Sequence, residues 1–327
     1  MSLRPFPGAH HRHVSPHVSV IIPNWNGEHL LPDCLDALRR QTYRDFEAVV
    51  VDNGSSDGSV ALMRERYPEV RVIALPQNLF FAGGVNTGIQ QSEGPIVALL
   101  NTDTEADANW LANLVAALEA QPAAGMAASK LLLWDHRTVL HSAGDYFRLD
   151  GVPGNRGVWE EDAGQYDAER AVFSACGGAC AYRRSMLDEI GLLDEDLIMY
   201  CEDVDLAFRA QLAGYRCVFA PDARVYHQLS ATGGGAFASF YCGRNFIGVV
   251  AKNMPGALLR RHWWRILARQ FRFALHSLWH LAEPAARARL RGQWAGLRAA
   301  PKMWAKRAGV FSLQRVPDAY IESILTR

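Results

Sequence analysis

VSVIIP at Val18–Pro23 is the stretch on which the fold turns. It is a nearly unbroken apolar run, the pattern of a strand covered on both faces. Three more runs follow it: FEAVVV at 46–51, VRVIAL at 70–75 and PIVALL at 95–100. Helical spacing separates them, over 30–40, 60–67 and 85–91. A further helix is expected over 108–120, with Leu111, Leu114, Val115 and Leu118 on one face. Strands alternating with helices predict an α/β fold: a mostly parallel sheet with flanking helices. Ligands of such sheets bind beyond the carboxyl ends of the strands, so the residues after each strand come next.

Asn24-Trp25-Asn26-Gly27 follows the first strand. The G-x-G-x-x-G of a dinucleotide fold is absent there, which argues against a dehydrogenase. Asn24 and Trp25 suit hydrogen bonding to a nucleoside and flanking of it, or equally a polar turn with a buried Trp. Asp52 ends the second strand, ahead of Asn53-Gly54-Ser55-Ser56-Asp57, where a carboxylate can accept from a base or ribose. After the third strand comes a Gly-rich loop, Asn78 to Gly88, leading into a helix expected at Val85. Its backbone N–H groups suit a diphosphate, which nominates Gly83 and Asn86 as donor-binding residues, and a plain loop-to-helix junction explains it nearly as well. Asn101-Thr102-Asp103 follows the fourth strand. A single acid there is a natural ligand for Mg²⁺ or Mn²⁺, cations that keep waters and bind phosphate oxygens as well. Further on, Glu202-Asp203-Val204-Asp205 opens a helix. Acids in a first turn often only cap it, but a base for a sugar hydroxyl must also be a carboxylate within reach. His227 closes a short strand and is either structural or a partner of Asp103 in a metal site.

The remaining sequence is less regular. Residues 131–182 carry turn signals at Gly144, Gly151, Gly154 and Gly157 and read as strands and a long loop. Helices are expected near 185–190 and 204–214, strands near 217–220 and 225–227, and helix beyond Phe237. Net charge is zero over 327 residues, yet Gly256 to Arg327 holds 14 Lys and Arg against 3 Asp and Glu. Five of the nine tryptophans lie in that tail. Trp263, Leu267, Phe271 and Leu278 share one helical face, with Arg261, Arg265, Arg269 and Arg272 opposite. Such a helix suits an anionic membrane interface, or packs on the body with its arginines in solvent. Residues 1–17, with His10, His11, His13 and His17, read as a disordered leader without a signal peptide. The uncharged stretches 72–92 and 225–243 are too polar to span a membrane. Six scattered cysteines read as free thiols of a reducing compartment, Cys176 and Cys180 lacking the partners of a metal site.

Taken in order, seven segments resemble the family 2 glycosyltransferases of GT-A fold: VSVIIPNWNG at 18–27, VVVDNGSSDGS at 49–59, NLFFAGGVNTGI at 78–89, ALLNTDT at 98–104, GGACAYRR at 177–184, IGLLDEDLIMYCEDVDLAFR at 190–209 and VYH at 225–227. The similarity is greatest to the rhamnosyl- and galactofuranosyl-transferase-like branch of bacterial surface-polysaccharide synthesis. It implies a nucleotide-diphospho-sugar transferase fold over 18–250, with a nucleotide-binding half (18–105), an acceptor half (106–250) and a basic amphipathic tail (251–327). It also implies that Asp52 contacts the nucleobase, Asp103 and His227 bind the metal, Asp203 is the general base, and Gly177, Gly178 and Glu202 lie near the sugar and acceptor. Asn101 stands where many members carry the first Asp of D-x-D, so the metal site leans on His227 and the donor diphosphate.

The expected activity is therefore inverting, metal-dependent sugar transfer from a nucleotide-diphosphate donor, such as a rhamnosyl donor, to a glycan or lipid-linked acceptor. It is expected at the cytoplasmic membrane face, with no nucleic-acid partner and the oligomeric state open. A sugar-phosphate nucleotidyltransferase is the alternative enzyme, but its Gly- and Lys/Arg-bearing loop after strand one is missing. A non-catalytic sugar-nucleotide-binding scaffold would have no use for both Asp103 and Asp203.

Overall fold

The four apolar runs form the parallel strands expected of them. The computed structural model describes residues 15–229 and 234–327. Its first half runs β1 (Val18–Asn24), α1 (Leu31–Arg39), β2 (Phe46–Asp52), α2 (Ser59–Arg66), β3 (Arg71–Ala74), α3 (Phe80–Gln90) and β4 (Ile96–Leu100). These strands lie in the order β4-β1-β2-β3, all parallel. Strand periodicity divides β1 between two cores: Ile21 packs on one face with Val49 and Val51, while Val18, Val20 and Ile22 pack on the other with Val50. Asn24 is in register with Asp52, so the polar residues after β1 and β2 emerge side by side.

Helix α3 begins at Phe80, five residues before the expected Val85. The Gly-rich stretch is therefore helix, although glycine disfavours one. Packing supplies the reason. A Cβ on Gly88 would lie 2.4 Å from Ile21 Cγ2, and one on Gly84 2.4 Å from Asn53 Nδ2. The glycines at 84 and 88 let α3 press against the sheet.

The second half comprises β5 (Thr104–Ala106), α4 (Trp110–Ala120), β6 (Ala124–Leu133), β7 (Leu140–Ser142), β8 (Asp145–Phe147), β9 (Pro153–Asn155), β10 (Ala171–Val172), β11 (Ala179–Arg183), α5 (Arg184–Ile190), α6 (Glu202–Leu212) and β12 (Arg216–His227). Here the sheet becomes mixed. It continues β4-β11-β6-β12-β10, with β11 antiparallel to both neighbours and β12 parallel to β6. The two strands expected at 217–220 and 225–227 are one, β12, whose register slips between Ala220 and Arg224. Pro221 sits in that slip, where its missing N–H is tolerated.

Helices α7 (Gly235–Asn253), α8 (Gly256–Trp279), α9 (Pro284–Ala305), α10 (Arg307–Ser312) and α11 (Asp318–Ile324) complete the chain. Among the described residues no helix is long and apolar enough to cross a membrane. His10, His11 and His13 lie outside the described residues, whereas the backbone of His17 bonds to Asp45 and Ile96. The tail is packed against the body. Leu258, Met303, Val310, Ile321 and Leu325 share a core with Leu206 and Phe208 of α6. Helices α7 and α9 approach through glycines: a Cβ on Gly292 would meet the Phe240 carbonyl at 2.1 Å, and one on Gly296 the Arg244 carbonyl at 2.6 Å.

A buried ionic cluster reinforces this junction. The fully buried Asp205 of α6 receives Arg209 at 2.9 Å, Lys252 at 2.7 Å and the Asn253 amide at 2.7 Å. Lys252 also reaches Asp194 at 2.6 Å, as does Lys306 of the tail. Burial alone would raise the Asp205 carboxyl, but Arg209 and Lys252 hold it below its ordinary value. Removing one member of such a cluster leaves the others charged and buried. Asp205→Ala should therefore lower the unfolding free energy by about 3–5 kcal/mol. Chemical denaturation of both proteins would measure it, and a shift below about 1 kcal/mol would mean the cluster is hydrated.

Candidate active site

Residues distant in sequence meet at the mouth of β4. The Asn101 N–H donates to the Gly178 carbonyl at 2.9 Å, tying this mouth to the start of β11. The Thr104 hydroxyl then donates to the Asn101 carbonyl at 2.6 Å, closing a turn around Asp103. Strand β5 pairs Thr104 with His227 of β12. Asp103 Oδ1 consequently lies 3.2 Å from His227 Nε2. The other nitrogen of His227, Nδ1, lies 3.0 Å from Nδ1 of His141 on β7.

The acid pair is delivered by a strained bend. Ile198, Tyr200 and Cys201 have φ of 69°, 64° and 69°, a region that costs roughly 1–3 kcal/mol for each non-glycine residue. One side chain of α7 holds this bend. The Asn245 Nδ2 lies 2.9, 2.9 and 2.8 Å from the carbonyls of Leu197, Met199 and Tyr200. Helix α6 then starts with Glu202 and Asp203 in its first turn. Asp203 accepts the N–H of Gly177 at 2.9 Å and that of Val204 at 2.7 Å.

Both groups open onto a cavity of about 410 Å³. Asn101, Asp103, His141, Asp145, Gly177, Gly178, Glu202, Asp203 and His227 line it, and Ala238, Cys242 and Phe246 of α7 form an apolar wall. The described lining holds four carboxylates and no lysine or arginine. Burial raises the carboxyls of Asp145, Glu202 and Asp203, and the charge of Asp203 pushes Asp145 and Glu202 further up. Burial, with the neighbouring His227, lowers His141 to about 3. Among the described residues the buried Asn101 Oδ1 and Glu202 Oε2 have no hydrogen-bond partner, which leaves both acceptors open to a ligand.

Seven of the nominated residues thus share one cavity: Asn101, Asp103, Gly177, Gly178, Glu202, Asp203 and His227. A second cluster stands at the ends of β1 and β2. There the Asn24 amide donates to Asp52 at 2.8 Å, the Ser55 N–H donates to the same carboxylate at 3.0 Å, and Trp25 is 53% exposed. Trp25 is therefore not the buried Trp of a polar turn. Gly83 and Asn86 join neither cluster. Gly83 lies within α3, where a Cβ would meet Leu79 Cβ at 2.7 Å. Both ends of the Asn86 amide are taken by Leu193 and Glu195, so it staples α3 to the loop before α6. Sequence reasoning missed His141 and Asp145, which lie in short strands without periodicity. Cys176 does come near charged groups, its sulfur lying within 4.8 Å of carboxylate oxygens of Asp145 and Asp203. Cys180 is buried.

The family model "Glycosyl transferase family 2" matches residues 19–191. An O-antigen biosynthesis protein, RfbC, of Myxococcus xanthus is 28% identical over 67% of this chain and 18% of its own length. An N-acetylglucosaminyl-diphospho-decaprenol L-rhamnosyltransferase of Mycobacterium tuberculosis is 30% identical, over 71% of this chain and 81% of its own. Among solved structures, the mannosyltransferase PcManGT of Pyrobaculum calidifontis, in complex with GDP-Man and Mn²⁺, aligns with a TM-score of 0.55 at 19% identity. That alignment covers 98% of this chain and 86% of the other. Two of the curated relatives are far longer, the chain spanning 25% and 18% of their lengths.

Carboxyls that titrate higher folded than unfolded bind protons preferentially in the native state. The stability they contribute is complete in acid and is lost as pH rises through the folded values. Glu202→Gln removes one such group. Its melting temperature should fall less than that of the wild type between about pH 5 and about pH 8. Parallel curves from scanning calorimetry would show that Glu202 is solvated and ordinary.

Proposed function

The chain belongs to glycosyl transferase family 2, and on that premise we propose that it transfers a sugar, with inversion, from a nucleoside-diphosphate donor to a glycan or lipid-linked acceptor of cell-surface polysaccharide synthesis. Rhamnose is the sugar we propose, on the strength of the relative that is an L-rhamnosyltransferase. The observation that carries this reading is the cavity itself, where Asp103 and His227 face Glu202 and Asp203 with no lysine or arginine in the described lining.

An anionic diphosphate meets repulsion in such a cavity unless a cation accompanies it. The residues fit one. Donor atoms 3.2 Å apart are close to the spacing of about 3 Å between neighbouring ligands of an octahedral cation with bonds of about 2.1 Å. Asp103 and His227 would hold Mg²⁺ or Mn²⁺, which supplies charge neutralisation for the departing nucleoside diphosphate. The unpartnered Asn101 Oδ1 stands beside them. Asp52, prepositioned by Asn24 and Ser55, receives the nucleoside, and the exposed Trp25 flanks it.

Asp203 is the general base. Its two backbone hydrogen bonds fix its carboxylate, and burial makes it more basic than a free aspartate. It takes the acceptor hydroxyl proton while that oxygen attacks the anomeric carbon from the face opposite the diphosphate. The C–O bond to the diphosphate breaks in the same displacement, which inverts the centre. Glu202, raised further, sits beside the acceptor, and Gly177 and Gly178 leave room for the sugar.

The tail supports a membrane partner. Its five tryptophans are each more than half exposed, and Leu267 and Phe271 are 59% and 67% exposed. An anionic membrane surface at the cytoplasmic face would accept them together with the surplus of arginines.

Asp203→Asn should cost about 10² or more in kcat while leaving donor affinity near wild type, as read by turnover and calorimetry. Near-normal turnover would remove Asp203 from the chemistry. Asp103→Ala should abolish the Mn²⁺-dependent part of nucleoside-diphosphate binding in the same titration. A variant with unchanged affinity and metal response would exclude Asp103 as a ligand. Slow hydrolysis of the donor by wild type, without acceptor, separates an enzyme from a binding scaffold.

A further inference from the structure

Outside the catalytic cavity, five arginines converge on a pocket of about 200 Å³. Arg265, Arg269 and Arg272 come from successive turns of α8, spaced so that they share one face. Arg148 stands at the turn between β8 and β9. Arg327 is brought beside it because the Leu149 N–H donates to the Thr326 carbonyl and the Thr326 N–H to the Phe147 carbonyl, each at 2.9 Å. Asp150 is the only acidic side chain among the described lining residues, and it is already engaged by Arg269 at 2.8 Å and Arg148 at 3.3 Å. Among the described residues, Arg265, Arg272 and Arg327 have no ion-pair partner.

Gathering like charges in a cleft is unfavourable unless an anion occupies it, and the cleft walls focus their field outward. The guanidinium fork matches phosphate oxygens two at a time, so several forks converging favour phosphate over a single carboxylate. What lies beside the pocket indicates the source of that phosphate. Trp264 is part of the lining, and the guanidinium of Arg265 lies over its ring at 5.2 Å. Next along α8, Trp263, Leu267 and Phe271 are 58%, 59% and 67% exposed. A phosphate pocket edged by outward aromatic and aliphatic side chains matches a headgroup with acyl chains next to it.

We propose that this pocket binds the phosphate of an anionic lipid headgroup, seating Trp263, Trp264, Leu267 and Phe271 in the lipid surface alongside. The proposal rests on the membrane reading above and sharpens it, since diffuse attraction of a basic tail needs no defined site. None of these side chains lines the catalytic cavity.

The full chain tests it in vesicle co-sedimentation. Three compositions are compared: phosphatidylcholine alone, phosphatidylcholine with phosphatidic acid, and phosphatidylcholine with oleate matched to the same surface potential. The pocket variant is Arg265→Ala with Arg272→Ala, and the control, equal in charge lost, is Arg291→Ala with Arg298→Ala on α9. Wild type should bind the phosphatidic acid vesicles about tenfold more tightly than the oleate ones. The pocket variant should lose that preference and the control should keep it. Inorganic phosphate should compete. Wild type that ignores every vesicle sinks the membrane reading and the site together. Equal binding to both anionic vesicles, or equal loss in both variants, overturns the site and leaves the membrane reading standing. Thermal stabilisation by inorganic phosphate without any vesicle preference overturns the lipid and assigns the pocket to a soluble phosphate.

Discussion

The left-handed bend ahead of α6 sets where the acid pair stands, and Asn245 keeps it there. An amide nitrogen has two hydrogens, yet three carbonyls of the bend lie within 2.9 Å of this one. The arrangement is thus short of donors, and Asn245 has no spare bonding capacity to let the bend relax. Arg244 adds a bond to the Asp196 carbonyl at 2.7 Å, and Ala82 of α3 donates to that of Ile198. Helices from both ends of the chain therefore hold one strained segment. Strain of this kind persists only where the surroundings over-determine it. Asn245 can do so because the ionic cluster around Asp205 anchors α7 against α6.

The electrostatics of the cavity follow from that placement. Four carboxylates buried together cannot all be charged comfortably, and burial resolves this by raising three of them. Asp103 has a different environment, next to His227 at the end of β4. A region suited to a cation and a region suited to holding a proton thus share one cavity without sharing residues. The ends of β1 and β2, where Asp52 and Trp25 stand, extend the first region along the sheet.

The tail contributes to both packing and surface. Its glycines at 292 and 296, with Gly243 of α7, bring α7 and α9 into backbone contact, and its lysines 302 and 306 reach Asp194 and Asp196. On α8 the apolar stripe points outward, while Arg269 turns inward to Asp150. Ile266 and Phe273 of the same helix pack against the core, and its Arg260, Arg261 and Arg272 are exposed. Because the tail completes a core with Phe208 and Leu206, its removal would expose part of that core.

Much of this was legible in the chain. Val18–Pro23 and its three counterparts predict a parallel sheet, because strands covered on both faces carry such short apolar runs and helical spacing separates them. The polar residues after them then mark the binding edge without any knowledge of packing. Asp103 was visible on those terms; Glu202 and Asp203 were visible only as acids opening a helix and His227 as the end of a short strand, their roles coming from the resemblance, and the tail's charge and tryptophans were visible as composition. The glycines at 83 and 84 show the limit: local propensity reads a loop, whereas in the fold they lie in a helix whose Gly84 packs against Asn53 and whose Gly88 packs against Ile21. Likewise the Asn86 amide looked available until Leu193 and Glu195 came to occupy it. His141 and Asp145 join the site through short strands with no period to read. The order of strands past β4, the clamp by Asn245 and the convergence of Arg148, Arg272 and Arg327 depend on residues far apart in sequence. Periodicity acts over a few residues and can be read from them. Which distant surfaces meet is decided by burial and charge compensation across the whole chain, and that only the tertiary structure determines.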